Sequence, residues 1–200
     1  MRSRAIDVKR RATATATARK PRADSTRNRQ SLIDAAKGAF AEVGLTVSLE
    51  DIARRASVGI GTLYRHFPTR EDVVEAVYRH EVEQLTEAAP RLIETLPAAE
   101  ALHRWMHLFI DYIATKRLIA PSLGAAAARK PALYASSSEL INHAISTLVK
   151  RAVESGKVRK DISPTDLLRG MVGVSFGNTD AGWEASARRL IDLMMDGLRR

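Results

Sequence analysis

Residues 48–67 read SLEDIARRASVGIGTLYRHF, and their local signals decide the fold. Ser48 stands where a helix N-cap belongs, with Asp51 three residues on, the pattern that satisfies the first unpaired amides of a helix. Leu49, Ile52, Ala53 and Ala56 recur at helical spacing and give that helix a small apolar face, while Arg54 and Arg55 point elsewhere. Ser57-Val58-Gly59 interrupts the pattern. Gly59 can then cap a second short helix that turns Leu63 and Phe67 inward. Two short helices joined by about three residues form a helix-turn-helix unit, whose second helix enters the major groove of DNA.

The wider run DIARRASVGIGTLYRHFPTREDVVEAV resembles the DNA-binding domain of TetR-family transcriptional regulators. The family pattern is carried by Asp51-Ile52-Ala53, Ala56-Ser57-Val58-Gly59, Gly61-Thr62-Leu63-Tyr64-Arg65-His66-Phe67 and Arg70-Glu71-Asp72-Val73. About fifty residues, 28 to 78, share the likeness. Two departures stand out. Ser57 and Gly59 exchange the family's usual Gly-Ser order in the turn, and Ile60 occupies a place usually held by Lys, Arg or another polar residue.

The resemblance implies a DNA-binding face built from Ser48, Gly59, Ile60, Gly61, Thr62, Tyr64, Arg65, His66, Thr69 and Arg70. Ser48 and Thr62 offer hydroxyls at helix starts, where amides also point outward toward phosphate oxygens. Tyr64 and His66 match the family's phosphate-contacting pair, and Thr69 with Arg70 match a further backbone clamp. Gly61 lets the helix approach the groove. Arg65 is the candidate for bidentate recognition of guanine, and Ile60 for contact with a thymine methyl.

Outward from this unit, the chain reads as helices throughout. A first helix is expected near 27–43, with Leu32, Ala36, Ala39, Phe40 and Val43 on one face and Gly44 closing it. Thr69 caps a longer helix whose stripe is Val73, Val74, Val77, Tyr78, Val82 and Leu85, ending near Ala89-Pro90. A helix over 98–116 carries Leu102, Trp105, Met106, Phe109, Tyr112 and Ile113. An alanine-rich segment, 118–129, is expected to be broken by Pro121 and Gly124. Pro131 opens a helix closed by Gly156, Pro164 one reaching about Gly177, and the last covers 183–199. The fold class is all-α with about nine helices. The domains are a basic flexible arm (1–26), a helix-turn-helix DNA-binding domain (27–72) and a helical ligand-sensing and dimerisation domain (73–200).

Composition narrows the class. The formal charge is +9, but of 32 basic and 23 acidic residues ten and two lie in residues 1–30, which leaves 22 and 21 elsewhere. The excess positive charge is therefore a terminal one, suited to polyanions through counterion release. The Ala/Thr alternation over 12–18 has no apolar face to bury. The chain has no cysteine, so disulfides and thiolate metal sites are excluded. No run approaches the ~18 apolar residues of a membrane helix. A cytoplasmic protein without membrane association is expected.

In the second half, the resemblance implies a homodimer and a small-molecule effector of unidentified nature. The interface is expected on the last two helices, at Gly170, Gly173, Gly177, Leu190, Ile191, Met194, Met195 and Leu198. Candidate walls of an effector pocket are Trp105, Phe109, Tyr112, Tyr134, Met171 and Phe176, although such stripes also form plain core. Glu100, His103, His107 and Asp111 have the spacing of metal ligands on one helix, with His143 as an outside ligand. A solvated polar face accounts for them better, and no metal or other cofactor is expected. Gly173-Val174-Ser175-Phe176-Gly177 matches G-x-S-x-G, but lies in an expected helix with no histidine after it, contrary to the hydrolase elbow. The sequence thus points to a ligand-responsive repressor that binds a palindromic operator in double-stranded DNA as a homodimer, and not to an enzyme. The competing reading is a nonspecific, architectural DNA binder driven by the basic arm.

Overall fold

The computed structural model describes the backbone of residues 21–129, 131–177, 180 and 182–200, and among these the side chains of all but 21–22, 125–129 and 131–134. The expected arm over 1–26 falls outside the described residues up to position 20. Eight helices follow in order: α1 (Pro21–Val43), α2 (Leu49–Arg55), α3 (Ile60–His66), α4 (Arg70–Thr95), α5 (Ala98–Arg129), α6 (Pro131–Glu154), α7 (Pro164–Phe176) and α8 (Trp183–Leu198). The described residues contain no β-strand, only an isolated bridge between Val158 and Arg199 that pins the chain end to the loop after α6.

Local chemistry sets most boundaries. Gly44, at φ +85°, ends α1 with its amide donating to the Phe40 carbonyl at 2.9 Å. The Ser48 hydroxyl accepts from the Asp51 amide at 3.0 Å. Thr69 and Asp72 form a reciprocal capping box at the start of α4, and Ser163 caps α7 ahead of Pro164. α1 starts at Pro21, upstream of the expected position near 27. Proline suits the first helical turn because its missing N–H would have no intrahelical acceptor there.

Two prolines expected to end helices do not. α4 runs through Pro90 to Thr95, and α5 runs through Pro121 to Arg129 as one helix. An interior proline removes one i→i−4 bond and crowds the preceding turn. Both prolines lie on exposed positions. The carbonyl freed at each can therefore face water, while Leu92 and Ile93 beyond Pro90, and Leu123 beyond Pro121, keep the helix packed on the core. The continuity of α5 is why there are eight helices among the described residues and not nine.

One core runs the length of the chain. Leu32, Ile33, Ala36 and Phe40 of α1 pack with Ile52, Ala53, Leu63 and Phe67, and α4 adds Val73, Val74, Val77 and Tyr78. Farther along, Leu85, Ala88 and Ala89 of α4 meet Leu102, Trp105, Met106 and Phe109 of α5, the most extensive helix pair. Trp105 is fully buried and its Nε1 donates to the Leu85 carbonyl at 2.9 Å. Its truncation to alanine is worth about 3–5 kcal/mol. Through α4, the short helices and the C-terminal half share one rigid element.

Candidate nucleic-acid interface

The turn between α2 and α3 has a defined geometry. Ser57 sits at φ +56°. Its amide donates to Arg54 O at 3.1 Å, and the Val58 amide reaches Ala53 O at 3.0 Å. These two bonds make a Schellman C-cap, in which the left-handed residue is normally glycine. Gly59 then acts as N-cap of α3 without any side-chain bond. The exchanged Gly-Ser order thus places a side chain where the backbone is strained and leaves a cap position without one.

Of α3, only Leu63 turns fully inward, with Phe67 just beyond it, while Gly59, Ile60, Gly61, Tyr64 and Arg65 are exposed. Ile60 and Tyr64 are 37% and 45% exposed, large apolar surfaces on a two-turn helix with nothing packed over them. A Cβ added to Gly59 or Gly61 would meet no atom within 4 Å. In the free protein Arg65 folds along its own helix, donating from Nη2 to Thr62 Oγ1 at 2.9 Å and from Nε to Gly61 O at 3.3 Å.

The flanking residues divide between surface and brace. Ser48 is exposed at the start of α2. The Thr69 hydroxyl is engaged by Asp72, donating to its carboxylate at 2.7 Å. Arg70 turns inward: its guanidinium donates to Leu45 O at 2.9 Å and Val47 O at 2.6 Å, fastening the α1–α2 loop to α4. His66 is half-buried at the end of α3, and burial first, then the nearby Arg29 and Arg65 cations, lower its pKa from the ordinary histidine value. Arg29 escaped the sequence reading, which counted it only as part of the basic terminus. α1 carries it over the Phe67 ring, 5.3 Å from the centroid, and so adds a cation beside α3. No local pattern reveals that pairing. On the far side of α2, Arg55 bridges Asp51 and Glu42 of α1, at 3.0 and 2.7 Å, and Asp51 also pairs with Arg54; the bonds from Arg54 first, then from Arg55, lower the Asp51 pKa.

The C-terminal candidates separate by burial. Ile191, Met195 and Leu198 are buried in the core of their own chain. Met194 is half-buried and closes on Gly170, where an added Cβ would lie 2.8 Å from its Cε; that close approach is within one chain. Gly173, Gly177 and Leu190 are exposed, and Leu193 of α8 is 66% exposed, while the exposed Val172 and Phe176 of α7 lie on the side toward α5 and α6. The stripe on α8 is wide enough to serve two faces, and periodicity alone did not separate them.

Of the pocket candidates, Phe109, Tyr112 and Phe176 line a cavity of about 170 Å³ between α5, α6 and α7, together with Ile141, Leu168 and Val172. Lys116, Ser138 and Asn142 are among its polar groups. Trp105 and Met171 are fully buried core residues, and the Tyr134 side chain lies outside the described residues. Ser175, of the G-x-S-x-G match, is buried within α7 with its hydroxyl donating to Met171 O at 2.6 Å. A buried, intrahelical serine has none of the exposure a nucleophile elbow provides. No helix among the described residues is long and apolar enough to cross a membrane.

Comparison with known proteins agrees with this geometry. Residues 32–77 match the family described as bacterial regulatory proteins, tetR family, and residues 97–200 match the SbtR-like transcriptional regulator C-terminal domain. The chain is similar to the TetR transcriptional regulator SCO0520 of Streptomyces coelicolor, at 43% identity over 86% of this chain and 98% of that one, with a TM-score of 0.78. It is also similar to a TetR transcription regulatory protein of Mycobacterium vanbaalenii, at 28% identity over 90% and 99%, with a TM-score of 0.74. The HTH-type transcriptional regulator YhgD of Bacillus subtilis (strain 168) is 26% identical over 89 residues, 44% of this chain and 47% of that protein. The match therefore spans about half the length of that curated relative.

Proposed function

The chain belongs to the TetR family of transcriptional regulators, and on that basis we propose a ligand-responsive repressor that binds a palindromic operator as a homodimer. The observation that carries this reading is the outer face of α3, where Ile60, Gly61, Tyr64 and Arg65 stand exposed without packing partners. Arg65 exchanges its intrahelical bonds for the edge of a guanine, and Ile60 presses on a thymine methyl. Ser48, Thr62, Tyr64 and His66, with Arg29 added, hold the backbone. Arg70 contributes through its amide at the start of α4, since its side chain braces the loop before α2, and Thr69, held by Asp72, caps that helix start.

Residues 73–200 form the sensing and dimerising part, and the regulator works in the cytoplasm. The subunit face is centred on the exposed Leu190 and Leu193 of α8, which gives two α3 helices a symmetric arrangement on half-sites one turn of DNA apart. The cavity between α5, α6 and α7 takes a small, mainly apolar effector whose polar end reaches Lys116 or Asn142. Its filling shifts α5 against α4, and α4 carries the displacement to the DNA-binding helices. A coupling of about 1.4 kcal/mol changes operator affinity tenfold.

Fluorescence anisotropy against DNA from upstream of the coding region, beside a scrambled duplex, tests the reading. Tyr64→Ala and Arg65→Ala should each weaken specific binding with helix content intact, by about 1–3 kcal/mol for Arg65. Unchanged affinity in both removes α3 from the interface. Removal of residues 1–20, which precede α1, should lower affinity for all DNA alike; collapse of specific binding would favour the architectural reading instead.

A further inference from the structure

α5 and α8 lie side by side, and their facing polar residues meet at two levels. At one, Arg188 of α8 pairs with Asp111 of α5. One turn away, at His107 and Asp192, the contact is of another kind. His103 and His107, one helical turn apart on α5, aim their Nε2 atoms at the same carboxylate oxygen of Asp192, at 2.8 and 2.9 Å. The two Nε2 atoms are 3.2 Å apart, and the rings meet edge to face with centroids at 4.9 Å. Neither Glu100 nor Asp111 joins them, and His143 lies exposed on α6. The third group comes from 85 positions farther along the chain, which is why the spacing 100-103-107-111 did not disclose the cluster.

We propose that His103, His107 and Asp192 form a binding site for a divalent transition metal of the zinc class, held between α5 and α8. Three separations of 2.8, 2.9 and 3.2 Å make a nearly equilateral triangle of donors. Around an ion with bonds of ~2.1 Å, neighbouring donors stand about 3.0 Å apart at right angles and about 3.4 Å apart in a tetrahedron. The ion fits above this triangle with shifts of a few tenths of an ångström. It takes the Nε2 lone pair of each ring, and it relieves the crowding of two ring nitrogens beside one oxygen.

The donor set selects the class. Two imidazoles and one carboxylate suit Zn²⁺, Co²⁺, Ni²⁺ or Cu²⁺; Mg²⁺ and Ca²⁺ favour oxygen ligands throughout, and Cu⁺ favours sulfur, of which the chain has no cysteine. The side chains of His103, His107 and Asp192 are 27%, 20% and 50% exposed. An ion reaches them from solvent, and water completes its coordination. Bound there, it ties α8, which carries the proposed subunit face, to α5, one wall of the apolar cavity. The site itself does not depend on the repressor reading.

The test uses the full chain without a histidine tag, stripped with a chelator and titrated with Co²⁺ and Zn²⁺. Visible absorption reports Co²⁺ coordination, calorimetry reports stoichiometry, and thermal melts report linkage. One ion per chain, cobalt ligand-field bands and a raised melting temperature are expected. His107→Gln keeps a donor for Asp192 but loses the imidazole, and Asp192→Asn keeps an acceptor but loses the charge. Each should weaken binding roughly 100-fold or more, while the metal-free melt stays close to the wild type. Should one variant fail to fold, the other decides. The proposal is overturned if the wild type shows no saturable binding, or if both variants bind with wild-type affinity and spectrum, which places the ion elsewhere.

Discussion

Ser57→Gly is expected to stabilise the protein, although it removes a side chain and adds no contact. Ser57 holds φ +56° in the cap that ends α2, with its amide and that of Val58 both bonded back into the helix. The left-handed region costs an L-residue about 1–2 kcal/mol. Glycine escapes that cost but loses about 0.5–1 kcal/mol through the greater freedom of its unfolded chain. The difference leaves a gain of about 0.5–1 kcal/mol, or about 1–4 °C in melting temperature for a chain of this size. Circular dichroism melts at one fixed protein concentration measure it, since association also contributes to the midpoint. Ser57→Val, β-branched at the same φ, should lose about 1 kcal/mol or more. The companion Gly59→Ser supplies the missing N-cap oxygen for α3 and should add a few tenths of a kcal/mol. A lower melting temperature for Ser57→Gly, or a Ser57→Val protein as stable as the wild type, would refute the reasoning.

Other perturbations probe different levels of the structure. On the proposed homodimer, Leu193→Glu should give a folded monomer: covering the two-thirds of each leucine that is exposed would contribute about 2–4 kcal/mol, so Kd should rise roughly 10–10³-fold; sedimentation checks it, and an unchanged association state moves the subunit face elsewhere. Lys37→Met should destabilise by about 1–3 kcal/mol, because the buried Glu81 carboxylate then keeps only the Thr115 hydroxyl at 3.0 Å in place of the Lys37 ammonium at 2.8 Å. Adding Glu81→Met to it should recover much of that loss in denaturant melts, and an additive double mutant would contradict the pairing. His66 titrates below the ordinary histidine value, so as pH falls through 6.5 the unfolded chain takes up a proton the native site resists. Its contribution is present above that pH and lost below it, and His66→Gln should show a smaller drop in melting temperature between pH 7.5 and 5.5 than the wild type.

The helix-turn-helix was legible from residues 48–67 because its determinants are local. A capping serine, a small apolar stripe, a three-residue turn and a second amphipathic helix act over a few residues each, and tertiary packing reinforces them. Ser48, Thr69, Gly44 and Ser163 cap where a one-dimensional reading puts them. The prolines show where local preference stops deciding. Pro90 and Pro121 each weaken one turn, but their helices bury long apolar faces before the proline, and Leu92, Ile93 and Leu123 still pack beyond it, which outweighs one lost bond.

What α5 and α8 do with their side chains was settled only in three dimensions. Ile191 and Leu193 stand two residues apart on one amphipathic helix, yet one is core and the other is the most exposed large apolar side chain described. Arg70 carries the charge of a DNA clamp, but its guanidinium reaches two loop carbonyls. Arg29 arrives beside α3 because α1 packs there, and His103, His107 and Asp192 converge because two helices distant in sequence run side by side. Sequence by itself determined which segments are helical and that one pair reads DNA, since those outcomes depend on neighbours a few residues apart. Which face meets solvent and which the core depends on contacts between segments distant along the chain, and only the packed structure decided it.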